Sequence, residues 1–562
     1  MRRGIALHPA VSLSATRLQD LTVATAFSRV ARVHPQSDWL QVLPETAQVY
    51  GIEARCWTYG ETAERIARLK IAYERAGFGH GHRAGLLLLN RPEFLWHWFA
   101  LNGLGVSIVP INPDWRSAEL EYLIDHSEIS VAVTLPERAA GIAAAARAVG
   151  RTVVITGPDG AGITAPSRPP PRAGSAPDRS TECALLYTSG TTGRPKGCVL
   201  PNEYFLWAGQ WYAGIGGLCD VRPGRERMIT PLPLTHMNAL AYSVMCMMLS
   251  GGCLILLDRF HPDSWWDSVR ASGATILHYL GVMPAMLMGA APDESVRDLR
   301  VRFGFGAGVN ARHHASFEQR FGFPLLEAWA MTETGAGAVM IANHEPRKVG
   351  TACFGRAEPG IEWRIVDDLG QDAAPETPGE LWVRRSGAQA RFGFFAGYLK
   401  DETATGEAWA EGWFHTGDLV TCDADGQFHF VDRKKNVIRR SGENISAVEV
   451  ESVLSQHPAV AAVGVSAVPD ALRGDEVFAS IVLRAGHEAP SEAERNKTAR
   501  DIVTFCLERL AYFKAPGYVA FCGQLPLTPT EKIQRSQLKQ LGESSLAEGR
   551  CVDLRAMKRR DS

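Results

Sequence analysis

The sequence predicts an α/β protein in two parts: a large N-terminal domain built on parallel sheets, with a β-rich subdomain, and a small α+β domain at the C-terminal end. Three observations carry this reading. From about Trp57 to Thr134, helix-period and strand-period stretches alternate, as in units that feed a parallel sheet. The run AGLLLLN, Ala84 to Asn90, is apolar almost throughout, as a strand covered on both faces must be. After Gly350 the pattern shortens to strands and turns, as in IEWRIVDDLG and GELWVRRSG.

In order along the chain, YGETAERIARLKIAYERAG places apolar residues at helical spacing and ends on Gly77, a helix with its stop signal. VPINPDWRSAELEYLIDHS reads as strand, turn and helix. GPDGAGITAPSRPPPRAGSAPDRS, residues 157–180, is dense in Pro, Gly and Ser, can bury almost nothing, and reads as a surface linker. Strands follow at CLILL, 253–257, at ATILHYL, 274–280, and at VRFGFG, 301–306. DRKKNVIRRSGENIS, Asp432 to Ser446, is a charged turn between the strand GQFHFVD and an amphipathic helix beginning near Ala447. The domain boundary falls there, giving 1–434 and 435–562.

Composition bounds the function. At 562 residues the chain exceeds one simple domain, and a net charge of -2 provides no basic field for nucleic acid. The eleven cysteines, scattered from Cys56 to Cys551 without a Cys-x-x-Cys pair, argue against a disulfide framework or a zinc site. They point to a reducing, cytoplasmic compartment. The opening MRRGIALHPAVSLSA breaks at His8 and Pro9 before a secretory apolar run can form. The longest apolar stretch, Met237 to Leu257, is interrupted by polar residues and glycines, so a buried helix and strand are expected there rather than a membrane span.

The chemistry concentrates in ALLYTSGTTGRPKG, Ala184 to Gly197. An apolar strand runs into a loop whose glycines let the backbone approach an anion. Thr188, Ser189, Thr191 and Thr192 offer short donors there, and Lys196 a mobile charge. This is a polyphosphate cradle. It differs from the kinase and GTPase loop, because Gly197 follows the lysine where that motif needs Ser or Thr to hold magnesium.

Over ten consecutive residues the string resembles the signature of the acyl-adenylate-forming superfamily, which holds acyl-CoA synthetases, adenylation domains and luciferases. Four further strings resemble the superfamily in the right order: PLPLTHMN, EAWAMTETG, GWFHTGDLV with DRKKN, and LPLTPTEKIQR. The resemblance runs from about Leu21 to Leu538 and, through RSGENISAVEVE, is closest to the acid:CoA ligases of the crotonobetaine/carnitine kind. It implies that the C-terminal domain is a mobile lid, turning about a hinge at Lys435.

The resemblance also implies roles. Thr188, Lys196, Glu333 and Lys532 are the expected catalytic residues, Glu333 as the ligand of Mg2+ and Lys532 as the lid lysine on the reacting carboxylate. Nucleotide contacts fall to Ser189, Gly190, Thr191, Thr192 and Gly193, to Gly306, Ala307 and Gly308 in GFGAG, to Trp329 as a platform for adenine, to Met331 and Thr332, and to Asp418 and Arg433 on the ribose. Ser441, Gly442 and Glu443 would line the path of the CoA thiol. Trp211, His236, Met237, Ala307 and Gly335 would form a largely apolar acyl pocket with no evident fixed countercharge for a second carboxylate. Two residues depart from the family pattern, Ala330 and Glu531, each standing where glycine is usual.

The implied reaction joins a small or medium carboxylic acid to AMP, using ATP and releasing pyrophosphate, and then passes the acyl group to CoA. The alternatives are a stand-alone enzyme loading a carrier-protein thiol, a luciferase-like oxygenase, and a catalytically silent nucleotide-binding relative. LGESSL, Leu541 to Leu546, looks superficially like a phosphopantetheine attachment site but lies too near Lys532 for a carrier domain to fit. Nothing in the sequence fixes the oligomeric state.

Overall fold

The structure, a computed structural model, describes residues 21–188, 194–290, 294–309, 311–367, 370–433, 438–445, 447–487, 491–526, 533 and 535–559. Local signals act where the sequence places them. Thr58 accepts the Glu61 N–H at 3.1 Å, and the Glu61 carboxylate accepts the Thr58 N–H at 2.9 Å. This reciprocal cap starts the helix Tyr59–Ala76, and Gly77, left-handed at φ 95, stops it.

Two large sheets, mainly parallel, carry the core. Among the described residues one runs in the spatial order Met340–Ile341, Leu325–Trp329, Phe303–Ala307, Ile276–Leu280, Arg227–Thr230, Cys253–Leu256, Asp38–Gln41 and Cys56–Thr58, antiparallel only at its two outer pairs. The other runs Gly397–Tyr398, Lys196–Pro201, Glu182–Thr188, Ser107–Pro110, Arg83–Leu87, Val131–Thr134 and Val154–Thr156. Asn90, which ends the AGLLLLN run, ties them together. Its Nδ2 donates to Leu232 O at 3.0 Å and Leu257 O at 2.9 Å, and its Oδ1 accepts from Leu234 N at 2.8 Å. Those carbonyls are buried, so losing the amide would leave them unpaired. The bonds also fix the PLPLTHMN segment against the first sheet. The β-rich part is a four-stranded sheet, Ile361–Val366, Gly379–Arg385, Phe414–Cys422 and Phe428–Arg433, antiparallel across its first three strands.

By contacts the chain forms two compact units. One comprises Met1–Pro113, Ile124–Leu186 and Gly197–Val431; the other comprises Asp114–Leu123, Tyr187–Lys196 and Asp432–Ser562. In the second, the long strands Val460–Asp470 and Gly474–Leu483 pair antiparallel, with helices at Ala447–Leu454, Glu492–Leu507 and Arg535–Ala547. Lys514 is buried there between two carboxylates, Glu119 and Glu449, each 2.8 Å from its Nζ.

The cysteines form no disulfide among the described residues. All eleven are free thiols. Yet Cys56 and Cys253, 197 positions apart in sequence by subtraction of their numbers, come together with Asp38 so that one ligand atom from each lies within 4.8 Å of the others. Spacing in sequence could not reveal this, because the strands carrying them flank a third strand. Arg227 already pairs with Asp38 at 2.9 Å. The 157–180 stretch is largely exposed, as expected, although His82 Nε2 contacts Arg168 O at 3.0 Å and His97 Nε2 contacts Pro158 O at 3.0 Å.

Glu318 anchors the start of the strand that leads to the site. It meets Arg347 through both carboxylate oxygens at 2.8 Å, accepts Leu325 N–H at 2.9 Å and lies 3.1 Å from His314 Nε2. Burial raises its pKa, but the Arg347, His314 and Leu325 bonds outweigh that and hold it at about 2. A carboxylate depressed in this way stabilises the fold above its unfolded pKa, near 4.5, and the contribution is lost as pH falls through about 2. Glu318→Gln is expected to cost about 2 kcal/mol at pH 7. Thermal midpoints compared with the parent between pH 7 and 3 should show a gap that narrows on acidification.

Candidate active site

The strand Phe303–Ala307 ends in GFGAG, and its glycines have an intramolecular cause. A β-carbon at Gly306 would overlap the carbonyl and ring of Tyr279 on the neighbouring strand, so the small residue is needed for strand packing whatever ligand comes near. Gly308 turns the chain at φ 78. The turn is held by Glu327, whose carboxylate accepts Gly308 N–H at 2.8 Å and Val309 N–H at 2.9 Å, with the Tyr279 hydroxyl 3.2 Å away. Burial raises the Glu327 pKa, and the two N–H groups and nearby His314 oppose it.

Two strands of unrelated sequence origin then meet. Trp329, the last residue of Leu325–Trp329, donates its indole N–H to Asp418 Oδ2 at 2.9 Å, and both side chains are buried. The Trp329 ring stacks on Phe354 at 5.9 Å between centroids. Phe354 thus occupies one side of the indole, whose N–H holds Asp418. Asp418 is positioned a second time from its own strand, where Thr416 Oγ1 accepts the Asp418 N–H at 3.0 Å.

Beyond Trp329 the chain turns through Met331 and Thr332, both half-buried. Thr334 Oγ1 accepts Met331 N–H at 2.9 Å, and Tyr204 donates its hydroxyl to Thr332 O at 2.9 Å. Glu333 is buried, and Tyr398 donates to its Oε1 at 2.9 Å. Burial and the adjacent carboxylate push the Tyr398 phenol far above its usual range, so it stays a donor at any working pH.

Two of the expected acyl-pocket residues, Trp211 and Gly335, both meet Tyr242. Trp211 lies 5.6 Å from Tyr242 and 6.4 Å from Phe305 between ring centroids, and Tyr242 donates to Gly335 O at 3.2 Å. Gly335 sits at φ 47, and a β-carbon there would overlap the Tyr204 ring. His236, half-buried, and Met237, buried, lead into a π-helical run, Asn238–Val244, which carries Tyr242. A carboxylate meets Trp211, and it offers no countercharge to a second carboxylate on an acid. The Glu358 carboxylate accepts the Trp211 indole N–H at 3.1 Å, and burial raises its pKa despite that bond and nearby Arg385.

In the other unit, Thr188 and Lys196 stand at the facing ends of Glu182–Thr188 and Lys196–Pro201. Ser189 to Gly193, Lys435 and Lys532 lie outside the described residues. Arg433 closes the strand Phe428–Arg433. Ser441 and Gly442 are both left-handed, at φ 49 and φ 87, and Glu443 starts the strand Glu443–Ile445.

Residues 37–399 match the model for AMP-binding enzyme, and residues 449–532 match the model for the AMP-binding enzyme C-terminal domain. The chain belongs to the AMP-binding enzyme family. Similar curated proteins place this AMP-binding enzyme in the acid:CoA ligase branch. It is 31% identical over 499 residues to a crotonobetaine/carnitine–CoA ligase from Salmonella choleraesuis, covering 86% of this chain and 93% of that one. It is 30% identical over 493 residues to a sulfoacetate–CoA ligase from Cupriavidus necator, covering 86% and 92%. Among solved structures, an o-succinylbenzoate CoA synthetase from Bacillus subtilis superposes with a TM-score of 0.76 at 25% identity, covering 92% of this chain and 98% of that one.

Three residues of this AMP-binding enzyme escaped the sequence reading. Glu327 begins the string EAWAMTETG, and its acidity in an otherwise apolar strand was the available signal. Tyr398, 65 residues beyond Glu333, and Glu358, 147 beyond Trp211, gave none. Glu327→Gln would turn an acceptor of two N–H groups into a group that also donates, leaving a buried donor unpaired. A loss of about 2 kcal/mol or more is expected. A fall in thermal midpoint together with a matching loss of adenylate formation would bear this out.

Proposed function

We infer that the chain is an ATP-dependent acid:CoA ligase that activates a small or medium carboxylic acid in two half-reactions. The observation that carries this is the meeting of EAWAMTETG and GWFHTGDLV at the Trp329–Asp418 bond, 89 residues apart in sequence, in a chain whose similar proteins are named as CoA ligases. In the first half-reaction a carboxylate oxygen attacks the α-phosphorus of ATP. A P–O bond forms, the bond to pyrophosphate breaks, and pyrophosphate leaves with the electron pair. In the second, the CoA sulfur attacks the acyl carbon, AMP leaves with the electron pair, and the thiol proton passes to solvent.

The residues divide this work. Thr188, Ser189 to Gly193 and Lys196 cradle the departing pyrophosphate, Thr332 donates to the α-phosphate, and Asp418 with Arg433 holds the ribose. Asp418 is suited to this because Trp329 fixes its carboxylate from behind. Met331 and the GFGAG segment, Gly306 to Gly308, flank the nucleotide. Lys532 offsets charge on the reacting oxygens. Glu333 fits a hard cation such as Mg2+: Tyr398 occupies Oε1, and among the described residues Oε2 receives no hydrogen bond. When bound, that ion would neutralise phosphate charge. Trp211, His236, Met237, Ala307 and Gly335 bound the acyl group.

The lid domain, 435–562, turns about Lys435 between the half-reactions, withdrawing Lys532 and bringing Ser441, Gly442 and Glu443 to the thiol. The compartment is cytoplasmic. Among the described residues no helix is long and apolar enough to cross a membrane.

The test is a panel including butanoate, crotonate, benzoate, carnitine and sulfoacetate, assayed with ATP and Mg2+ for pyrophosphate, AMP and CoA thioester. At least one acid should give all three. Adenylate with no thioester from any acid would overturn the ligase reading in favour of carrier loading. Lys532→Ala should slow adenylation roughly 10² to 10⁴-fold while sparing thioester formation from synthetic adenylate. Lys435→Pro, with φ locked, should retain adenylation and lose thioester formation. Equal effects on both half-reactions would contradict the alternating lid.

A further inference from the structure

The last residues of the chain lie beyond both family matches, yet two of them reach into the second unit in an arrangement that stability alone does not explain. Lys558 is fully buried and donates to Glu476, itself fully buried. Glu476 already has a partner: Arg440 Nε lies 2.9 Å from both its carboxylate oxygens, with a side chain 4% exposed. One carboxylate thus faces two buried cations. Burial, and Arg440 alongside, lower the Lys558 pKa to about 7 despite the Glu476 bond. Burying a second ammonium on a satisfied carboxylate costs desolvation with little return, and such a group is often replaced by an apolar one without loss of stability. Its value has to lie in what it positions.

The connections lead to one place. Glu476 stands at the start of Gly474–Leu483, just after the turn that joins it to Val460–Asp470. The tail holds that turn twice, through Lys558 on Glu476 and through Arg555, whose Nη1 donates to Asp470 at 3.1 Å. Asp470 in turn caps the turn from inside, accepting Leu472 and Arg473 N–H at 3.0 and 2.9 Å. The tail is itself seated by the Val552–Asp553 strand, which pairs with Tyr518–Phe521, and by Leu554 N–H on Gly517 O at 2.8 Å.

On its other side the same turn holds the segment before Glu443. Arg439 N–H donates to Asp475 at 3.1 Å, Arg440 binds Glu476, and Ser441 N–H donates to Arg473 O at 2.9 Å. Ser441 is a non-glycine residue at φ 49, a conformation that surrounding bonds must maintain. These three bonds fix where Ser441, Gly442 and Glu443 point.

We propose that Lys558 and Arg555 are positioning residues for thioester formation: the tail clamps the 470–476 turn, and the turn presents Ser441 to Glu443 to the CoA thiol. This rests on the reading above that these three residues serve the second half-reaction. Neither tail residue touches the reacting atoms.

The test uses the full chain with Lys558→Met and Arg555→Ala. Adenylation is read without CoA as hydroxamate formed from butanoate or benzoate, whichever the panel favours. Thioester formation is read from the matching synthetic butanoyl- or benzoyl-adenylate against varied CoA. Adenylation should stay within about twofold and kcat/KM for CoA should fall roughly 10- to 100-fold, the scale of a misplacement near 1 Å. The thermal midpoint of Lys558→Met should hold or rise, and Lys558→Arg should restore part of the CoA rate. Arg555 is partly exposed, so its variant carries the test should Lys558→Met fail to fold. Equal loss of both half-reactions, or no loss of either, would overturn the proposal. Gly442→Val separates the two failures: a variant that forms thioester normally refutes the role of the loop itself, whereas one that loses it beside unimpaired Lys558→Met and Arg555→Ala refutes only the clamp.

Discussion

The indole N–H of Trp329 and the Oδ2 of Asp418 stand 2.9 Å apart in a buried setting, and most of the candidate site depends on that one bond. It fastens the end of a strand from a largely parallel sheet to a strand of the β-rich sheet, two sheets that share no strand pairing among the described residues. A charged acceptor makes the bond stronger than a neutral pair would be, and burial makes its loss expensive. On the Trp329 side, Glu327 and Tyr279 fix the Gly308 turn. On the Asp418 side, Thr416 fixes the carboxylate.

Much of this was legible in sequence. The alternation through Trp57 to Thr134, the AGLLLLN strand and the shortened pattern after Gly350 all became the elements expected, because each depends on local periodicity and local capping. Several of the residues singled out by motif order, such as Ala307 and Trp329, sit at strand ends. What could not be read was partnership across distance. The neighbours of Trp329 in sequence say nothing of Phe354, which stacks on it. Those of Gly306 say nothing of Tyr279, whose carbonyl and ring leave no room for a β-carbon there. The apolar reading of the acyl pocket missed Glu358, whose charge meets Trp211 only through folding, and the cysteine pattern missed the approach of Cys56 to Cys253.

Buried charge is met in two ways. Glu318 and Arg347 pair face to face, and the carboxylate pKa is depressed, which has a stabilising sign. Elsewhere one buried group faces two of opposite type, as Glu226 faces Arg222 and Arg302 in the first unit. In the second, Lys514 lies between two carboxylates, and Glu476 faces Arg440 and Lys558. Burying such groups is costly. Both clusters of the second unit fasten segments far apart in sequence, Glu119 to Lys514 and Arg440 to Lys558, which is work that apolar contact performs with less geometric precision.

The central claim is that the acid is activated by bonding one of its own oxygens to the α-phosphorus of ATP. Its most direct measurement is a turnover with an accepted acid labelled with oxygen-18 in both carboxylate positions, followed by mass spectrometry of all products. The account predicts AMP carrying one labelled oxygen, a CoA thioester retaining the other, and unlabelled pyrophosphate. Label in inorganic phosphate, or AMP free of label beside a labelled thioester, would mean that activation proceeds by another route and would contradict it.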